Sequence, residues 1–205
     1  MQPRWLNWVQ RLQAIAQNGL AYEPSMYDRE RYEQIQEIAA EIAASHTDTD
    51  AEIIQGIYNG EVGHATPKVD VRAVVFCDDK ILLVKEIVDG GWTLPGGWVD
   101  VGESPSVAAA RETFEESGFE VRPVKLLAIY DRAKHDHPPH AFHIYKLFFL
   151  CDLIGGEAKH SDETDGVDFF SRDAIPPLST GRVTSAQIAH FFAHREHPEW
   201  PTDFD

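Results

Sequence analysis

The chain has 205 residues, 43% hydrophobic and 25% charged, enough for one domain of ordinary size plus a smaller accessory piece and too apolar for extensive disorder. Its formal charge of −16 weighs against non-specific binding to nucleic acid or to anionic membranes, because phosphate-rich partners are repelled. No apolar run approaches the roughly 18 residues of a membrane span, and the first twenty residues lack the apolar core and small-residue cleavage site of a signal peptide, so a cytoplasmic protein with no membrane partner is expected.

Residues 1 to about 60 carry no strand pattern. Trp5, Val9, Leu12 and Ile15 recur at helical spacing. A second helix is predicted to start after Ser25, with Asp28 three residues on as a capping-box-like signal. Its predicted core stripe is Tyr32, Ile35, Ile38, Ala39 and Ile42, with Glu30, Glu33, Glu37 and Glu41 mostly toward solvent. A third short helix over Thr49 to Tyr58 precedes a linker from Asn59 to Pro67. Such short helices have too little area for a good independent core; they pack either on the rest of the chain or, as the sharper expectation, on a second copy in a homodimer. The division expected is 1–66, a helical dimerisation segment, and 67–205, the main domain.

From Val69 the pattern turns to β. VDVRAVVF, the turn Asp78-Asp79 and KILLVKE predict a hairpin. Further strands are predicted at Trp92–Leu94, Val124–Tyr130, Phe142–Asp152 and Val167–Phe170, and helices at Pro105–Ser117 and Thr184–His194. Helices interspersed among strands without regular alternation imply an α/β fold, a mixed sheet packed between helices. Cys77 and Cys151 both fall in apolar strands, where buried, inert thiols are expected rather than a disulfide or a zinc site.

The chemistry concentrates between Leu94 and Val121. Ser104 suits an N-cap, Pro105 the first helical position and Gly118 the position just past the end. Between these signals Glu112, Glu115 and Glu116 stand at i, i+3 and i+4, so three carboxylates share one helix face and repel by a few tenths of a kcal/mol per pair. A helix gains nothing from that arrangement, whereas a site for magnesium or manganese does, because hard cations take carboxylate oxygens. A merely solvated acidic face is disfavoured by the neighbours. Ala108 to Ala110 narrow the preceding turn, Arg111 can neutralise an acid such as Glu103, and Gly96-Gly97 lets the preceding loop approach closely.

This stretch resembles the box of the Nudix family. Gly97, Glu103, Arg111, Glu112, Glu115, Glu116, Gly118 and Phe119 stand at the matching places, and Thr113 replaces the usual aliphatic residue. The resemblance implies an α/β/α sandwich on a mixed sheet behind a small all-α extension. It implies Mg2+ or Mn2+ held by Glu112, Glu115 and Glu116 with the Gly96 carbonyl, and Arg111 with Glu103 tying loop to helix. WLNWVQRLQAIAQNGLAY, YDRERYEQI, WTLPGGWVDVGES and the PPLSTGR segment (Pro176 to Arg182) are similar to a bacterial Nudix group acting on nucleoside diphosphates linked to another moiety. That group includes CDP-choline pyrophosphatases and ADP-ribose enzymes. A small-molecule nucleotide substrate, release of a nucleoside monophosphate and phosphorylated X, and a dimer through the N-terminal helices follow from the resemblance.

Outside the box the candidates are less specific. Glu163, in the loop after the long strand, is the candidate general base by resemblance, with a solvated surface acid as its alternative. Arg72, a charge inside an apolar strand, either pairs with an acid or reaches a phosphate. Trp98 either stacks on a base or packs in the core. His143 belongs to KHDHPPHAFH, read as a polar loop near the substrate rather than a zinc site, since cysteines and helical spacing are lacking. The competing functions are a pyrophosphohydrolase of RNA 5′ ends or nucleoside triphosphates, and a Nudix-fold ligand sensor that no longer hydrolyses.

Overall fold

The computed structural model of the chain describes residues 3–205. They divide into two compact units: one reaching to Pro67 and including Pro139–His143, the other comprising Lys68–Pro138 and Ile144–Asp205.

In the first unit, α1 (Arg4–Ala21), α2 (Met26–Ala44) and α3 (Ala51–Gly60) pack around Val9, Ala39, Ala40, Ala43, Ile54 and Tyr58. The Ser25 side chain caps α2, accepting from the Asp28 N–H at 3.2 Å, a bond of the kind that commonly contributes about 1 kcal/mol. The buried face of α2 is rotated from the predicted stripe. Gln36, Ala39, Ala40 and Ala43 are buried, while Ile38 is 50% exposed. Small side chains let helix backbones approach, and the bulky aliphatic ones are displaced outward. The same holds in α1, where Trp8 and Ile15 remain 54% and 53% exposed. They border an apolar groove of about 330 Å³ with Arg11, Leu12 and Ile42.

In the second unit seven strands form one mixed sheet: β1 (Lys68–Cys77), β2 (Lys80–Glu86), β3 (Trp92–Thr93), β4 (Phe119–Asp131), β5 (Ile144–Gly156), β6 (Thr164–Ser171) and β7 (Asp203–Phe204). The order is β3-β2-β1-β5-β4-β7, with β6 on β2. β1 runs parallel to β5, while β4 and β5 are antiparallel over almost their full length. β4 begins directly after the helix end at Gly118, earlier than predicted, and β7 was not foreseen because a two-residue strand has no period to read.

Alternation along β1 builds the sandwich. Val71, Ala73 and Val75 face α4 (Pro105–Ser117), which buries Ala108 and Ala109. Val74 and the half-buried Phe76 face α5 (Ser185–Glu196), packing with Leu127, Phe148, Ile188, Phe191 and Phe192. Burying each such side chain stabilises by about 1.5–3 kcal/mol. Thr184 and Gln187 close a capping box on α5. Both cysteines are free, yet only Cys151 is buried; Cys77 is exposed because it ends its strand at the Asp78-Asp79 turn. No helix among the described residues is long and apolar enough to cross a membrane.

Candidate active site

The loop from Leu94 to Val99 is stitched along the edge of β1. Ala73 N–H donates to Pro95 O, Val71 N–H to Gly97 O, and Val99 N–H to Val69 O, at 2.9, 2.8 and 3.1 Å. Gly96 sits at φ 137°, and a Cβ there would lie 2.1 Å from the Val71 carbonyl oxygen. Only glycine takes this conformation in this space. A Cβ on Gly97 would stand 2.9 Å from the Glu112 carboxylate, so the glycine pair is what brings the loop against α4.

On α4, Glu116 is buried, and its Oε2 accepts the Gly96 N–H at 2.9 Å. Burial pushes its carboxyl up to about 8, against the opposing pull of Arg72 and of that N–H. Glu112 is also raised, by burial first, with Arg111 opposing. The Glu115 side chain is 55% exposed and accepts from Arg111 Nη1 at 2.8 Å. Arg111 also grips Glu103, through Nε at 3.0 Å and Nη2 at 2.9 Å, holding the Glu103 carboxyl below its ordinary value by hydrogen bonding. The same guanidinium lies 2.9 Å from Glu112. Ser104 occupies the N-cap position without a side-chain cap, its hydroxyl lying 3.4 Å from that of Ser106. Thr113 is fully buried, with its hydroxyl satisfied by the Ala109 carbonyl at 2.6 Å.

Arg72 is buried and paired. It donates to both oxygens of Asp70, at 3.2 and 2.8 Å, and to the Leu94 carbonyl at 3.1 Å. Lys146, directly across from Asp70 in the β1–β5 register, pairs with the same carboxylate. Burial opposes the charge of Arg72, but Asp70, Glu116 and Glu86 outweigh it and raise its affinity for the proton. Trp98 is 47% exposed, bridged through its backbone to Asp70.

Glu163 is exposed, and its main-chain carbonyl accepts the Ile87 N–H at 3.0 Å. The next residue, Thr164, is fully buried and donates its hydroxyl to the Glu116 carbonyl at 2.7 Å. The loop carrying Glu163 is thus tied both to the end of β2 and to the last turn of α4. His143 is not part of this unit; it groups with the N-terminal helices. The other histidines of its segment are engaged separately. His135 meets Asp205 at 3.1 Å, His137 meets Thr180 O at 2.8 Å, and His140 accepts from Phe142 N–H at 3.1 Å.

The sequence reading missed Glu86. This carboxylate ends β2, is 4% exposed, and lies in the electrostatic reach of both Glu116 and Glu163. Burial raises its carboxyl despite an ion pair of 2.8 Å with Arg182 Nε. It follows Lys85 at the end of the KILLVKE strand, where an acid reads as an ordinary surface charge.

Together Glu86, Glu112 and Glu116 are desolvated carboxylates with elevated proton affinity. Each would hold its charge more readily beside a cation, and their oxygens are the donors hard divalent ions take. Among the described residues no three acidic, histidine or cysteine side chains already converge into a metal cage; Arg111 Nη1 instead sits 2.9 Å from Glu112 and 2.8 Å from Glu115.

Comparison with known proteins agrees with this geometry. Residues 66–192 match the NUDIX domain, and residues 3–58 match the UDP-X-like N-terminal oligomerisation domain. YjhB of Bacillus subtilis (strain 168), provisionally assigned as an ADP-ribose pyrophosphatase, is 43% identical over 205 residues, covering 100% of this chain and 99% of that protein. The crystal structure of an ADP-ribose pyrophosphatase from Streptococcus suis 89-1591 is 43% identical, with a TM-score of 0.63 over 68% of this chain and 100% of its own. That of a UDP-X diphosphatase is 31% identical, with a TM-score of 0.64 over 98% of both chains. With the box residues on α4, the mixed sheet between two helical layers and these matches along its whole length, the chain belongs to the Nudix family and is a Nudix pyrophosphohydrolase that carries a UDP-X-like N-terminal oligomerisation domain.

Proposed function

We propose that this enzyme hydrolyses the diphosphate of nucleoside diphosphates joined to a second group, of the ADP-ribose or CDP-choline kind, releasing a nucleoside monophosphate and phosphorylated X. The observation that carries the reading is the buried Glu116 and half-buried Glu112, held on α4 against the Gly96-Gly97 loop. The names of two relatives matched over nearly the whole chain, an ADP-ribose pyrophosphatase and a UDP-X diphosphatase, support the same substrate class.

Mg2+ or Mn2+ would be held by Glu112 and Glu116, with Glu115 and the Gly96 carbonyl completing the set once Glu115 leaves Arg111. When bound, such a cation neutralises phosphate charge and lowers the pKa of a coordinated water. In a chain of net charge −16 this is how an anionic substrate is accommodated. The chain's own groups do the rest. The Gly96 N–H orients one oxygen of Glu116, and Arg111 and Glu103 lock the loop to the helix. Arg72, fixed by Asp70 and the Leu94 carbonyl, sets a positive charge within reach of Glu116. Trp98, half exposed beside the glycine pair, would stack on the base of the substrate.

The proposed division of labour is 1–66 for assembly and 67–205 for hydrolysis. A homodimer formed by covering Trp8 and Ile15 fits the oligomerisation domain matched over residues 3–58. Light scattering on Trp8→Glu should give half the parent mass.

The deciding experiment incubates the enzyme with ADP-ribose, CDP-choline, UDP-sugars, dinucleoside polyphosphates, nucleoside triphosphates and capped RNA, each with Mg2+ or Mn2+. Products are resolved chromatographically. Cation-dependent release of a nucleoside monophosphate from an X-linked diphosphate is the expected result. Preferential turnover of triphosphates or RNA ends would overturn the substrate class, and binding without turnover would favour a sensor.

A further inference from the structure

We infer that Glu86 and Arg182 form a clasp that positions the catalytic carboxylates, making Glu86 a positioning residue for the hydrolysis proposed above, on which this inference rests. Glu86 ends β2 opposite Thr164 of β6, where the register shifts between Lys85 and Glu86. Its neighbour Ile87 donates its N–H to the Glu163 carbonyl, and Thr164 donates its hydroxyl to the Glu116 carbonyl, at 3.0 and 2.7 Å. The Ser161 hydroxyl accepts both the Glu163 and Thr164 N–H groups, each at 3.1 Å. A shift at the end of β2 is therefore passed through two or three hydrogen bonds to both Glu163 and Glu116.

Arg182 fixes that end. Its Nε pairs with Glu86 Oε1 at 2.8 Å, and its Nη1 donates to Ser179 Oγ at 3.0 Å and reaches Asp89 Oδ2 at 3.4 Å. Ser179 Oγ in turn donates to Asp89 at 2.7 Å. Main-chain bonds reinforce the clasp, with Trp92 N–H to Pro177 O and Ser179 N–H to Trp92 O at 2.9 and 2.8 Å. One guanidinium thus gathers the end of β2, the turn after it and the Pro176–Arg182 segment. A surface turn does not need a buried acid to close it, since a buried ion pair is weak evidence of stabilisation by itself. A carboxylate placed within the field of Glu116 contributes instead to how strongly this pocket attracts a cation and to where Glu116 sits.

Groups that support metal ligands from behind typically change affinity or rate by about 10- to 100-fold when removed. The test compares Glu86→Gln, Arg182→Gln and Arg182→Lys with the parent. kcat and KM are measured on an X-linked nucleoside diphosphate, and Mn2+ binding is measured without substrate from the electron paramagnetic resonance signal of free Mn2+. The expected result is a kcat lower by about 10- to 100-fold in both glutamine variants, little change in KM, weaker Mn2+ binding, and partial rescue by lysine. Normal kcat and normal Mn2+ binding, with only a lower melting temperature, would overturn the inference. Should Glu86→Gln not fold, Arg182→Gln, at the solvent-reached side of the pair, decides alone. The two readings fail differently: an inactive parent defeats the substrate assignment, whereas an active parent with active variants defeats only the clasp.

Discussion

Arg72 and Asp70 stand two residues apart on β1, on the same face of the strand, and Arg72 Nη2 donates to Asp70 Oδ2 at 2.8 Å with both side chains buried. Lys146 closes on the same carboxylate from β5. Replacing Asp70 by Asn leaves two buried cations facing a neutral amide. Removing one partner from a buried charge group costs about 3–5 kcal/mol. Urea unfolding of Asp70→Asn should therefore show a stability loss of that order, and an unchanged midpoint would mean the cations are neutralised elsewhere.

Glu116→Gln separates charge from shape. The amide oxygen can still accept the Gly96 N–H, and the desolvated carboxylate that burial disfavours is gone. The fold should be as stable as the parent or more so, while kcat falls by more than about 100-fold, beyond the usual effect of supporting residues. A variant with near-parental turnover would remove this helix from the mechanism.

The two glycines of the loop are expected to respond differently to alanine. At Gly96 the new methyl meets main chain, the Val71 carbonyl at 2.1 Å, at φ 137°, so Gly96→Ala should express poorly or melt many degrees lower. At Gly97 it meets the end of a side chain, Glu112 Oε2 at 2.9 Å, which can swing away. Gly97→Ala should keep its melting temperature and lose activity. Equal melting temperatures for the two variants would contradict the packing described.

His137 supplies a pH dependence. It is held neutral because burial lowers its pKa to about 4 from 6.5, outweighing the hydrogen bond to the Thr180 carbonyl. With the folded value below the unfolded one, the contribution to stability is complete above about pH 6.5 and is lost as pH falls toward 4. Unfolding free energies measured between those limits should fall less steeply in His137→Gln than in the parent. Parallel slopes would show that this histidine titrates alike in both states.

How far the sequence reached can be judged residue by residue. Pro105, Gly118 and the spacing of Glu112, Glu115 and Glu116 are local signals, set by 3.6 residues per turn and by which residues tolerate each φ, and they located α4 to the residue. The hairpin of β1 and β2, read from their β-branched and aliphatic runs and the Asp78-Asp79 turn, was equally legible. What was not legible depends on who faces whom. Ile38 looked like core but lies outside it, because Ala39, Ala40 and Ala43 let the helices come closer.

The sequence by itself carried the resemblance to the Nudix family in its box residues, and it determined the change from helical to strand pattern and the helix that carries the acids, which rest on short-range periodicity and end signals. Only the tertiary structure decided that Glu115 turns to Arg111 while Glu116 is buried under the Gly96 N–H. It also decided that Arg72 is bound to Asp70, and that Glu86, far from Glu116 in the chain, lies in its field. The physical reason is the same in each case. Burial and electrostatic reach belong to neighbours brought together from distant strands, and no local pattern records them.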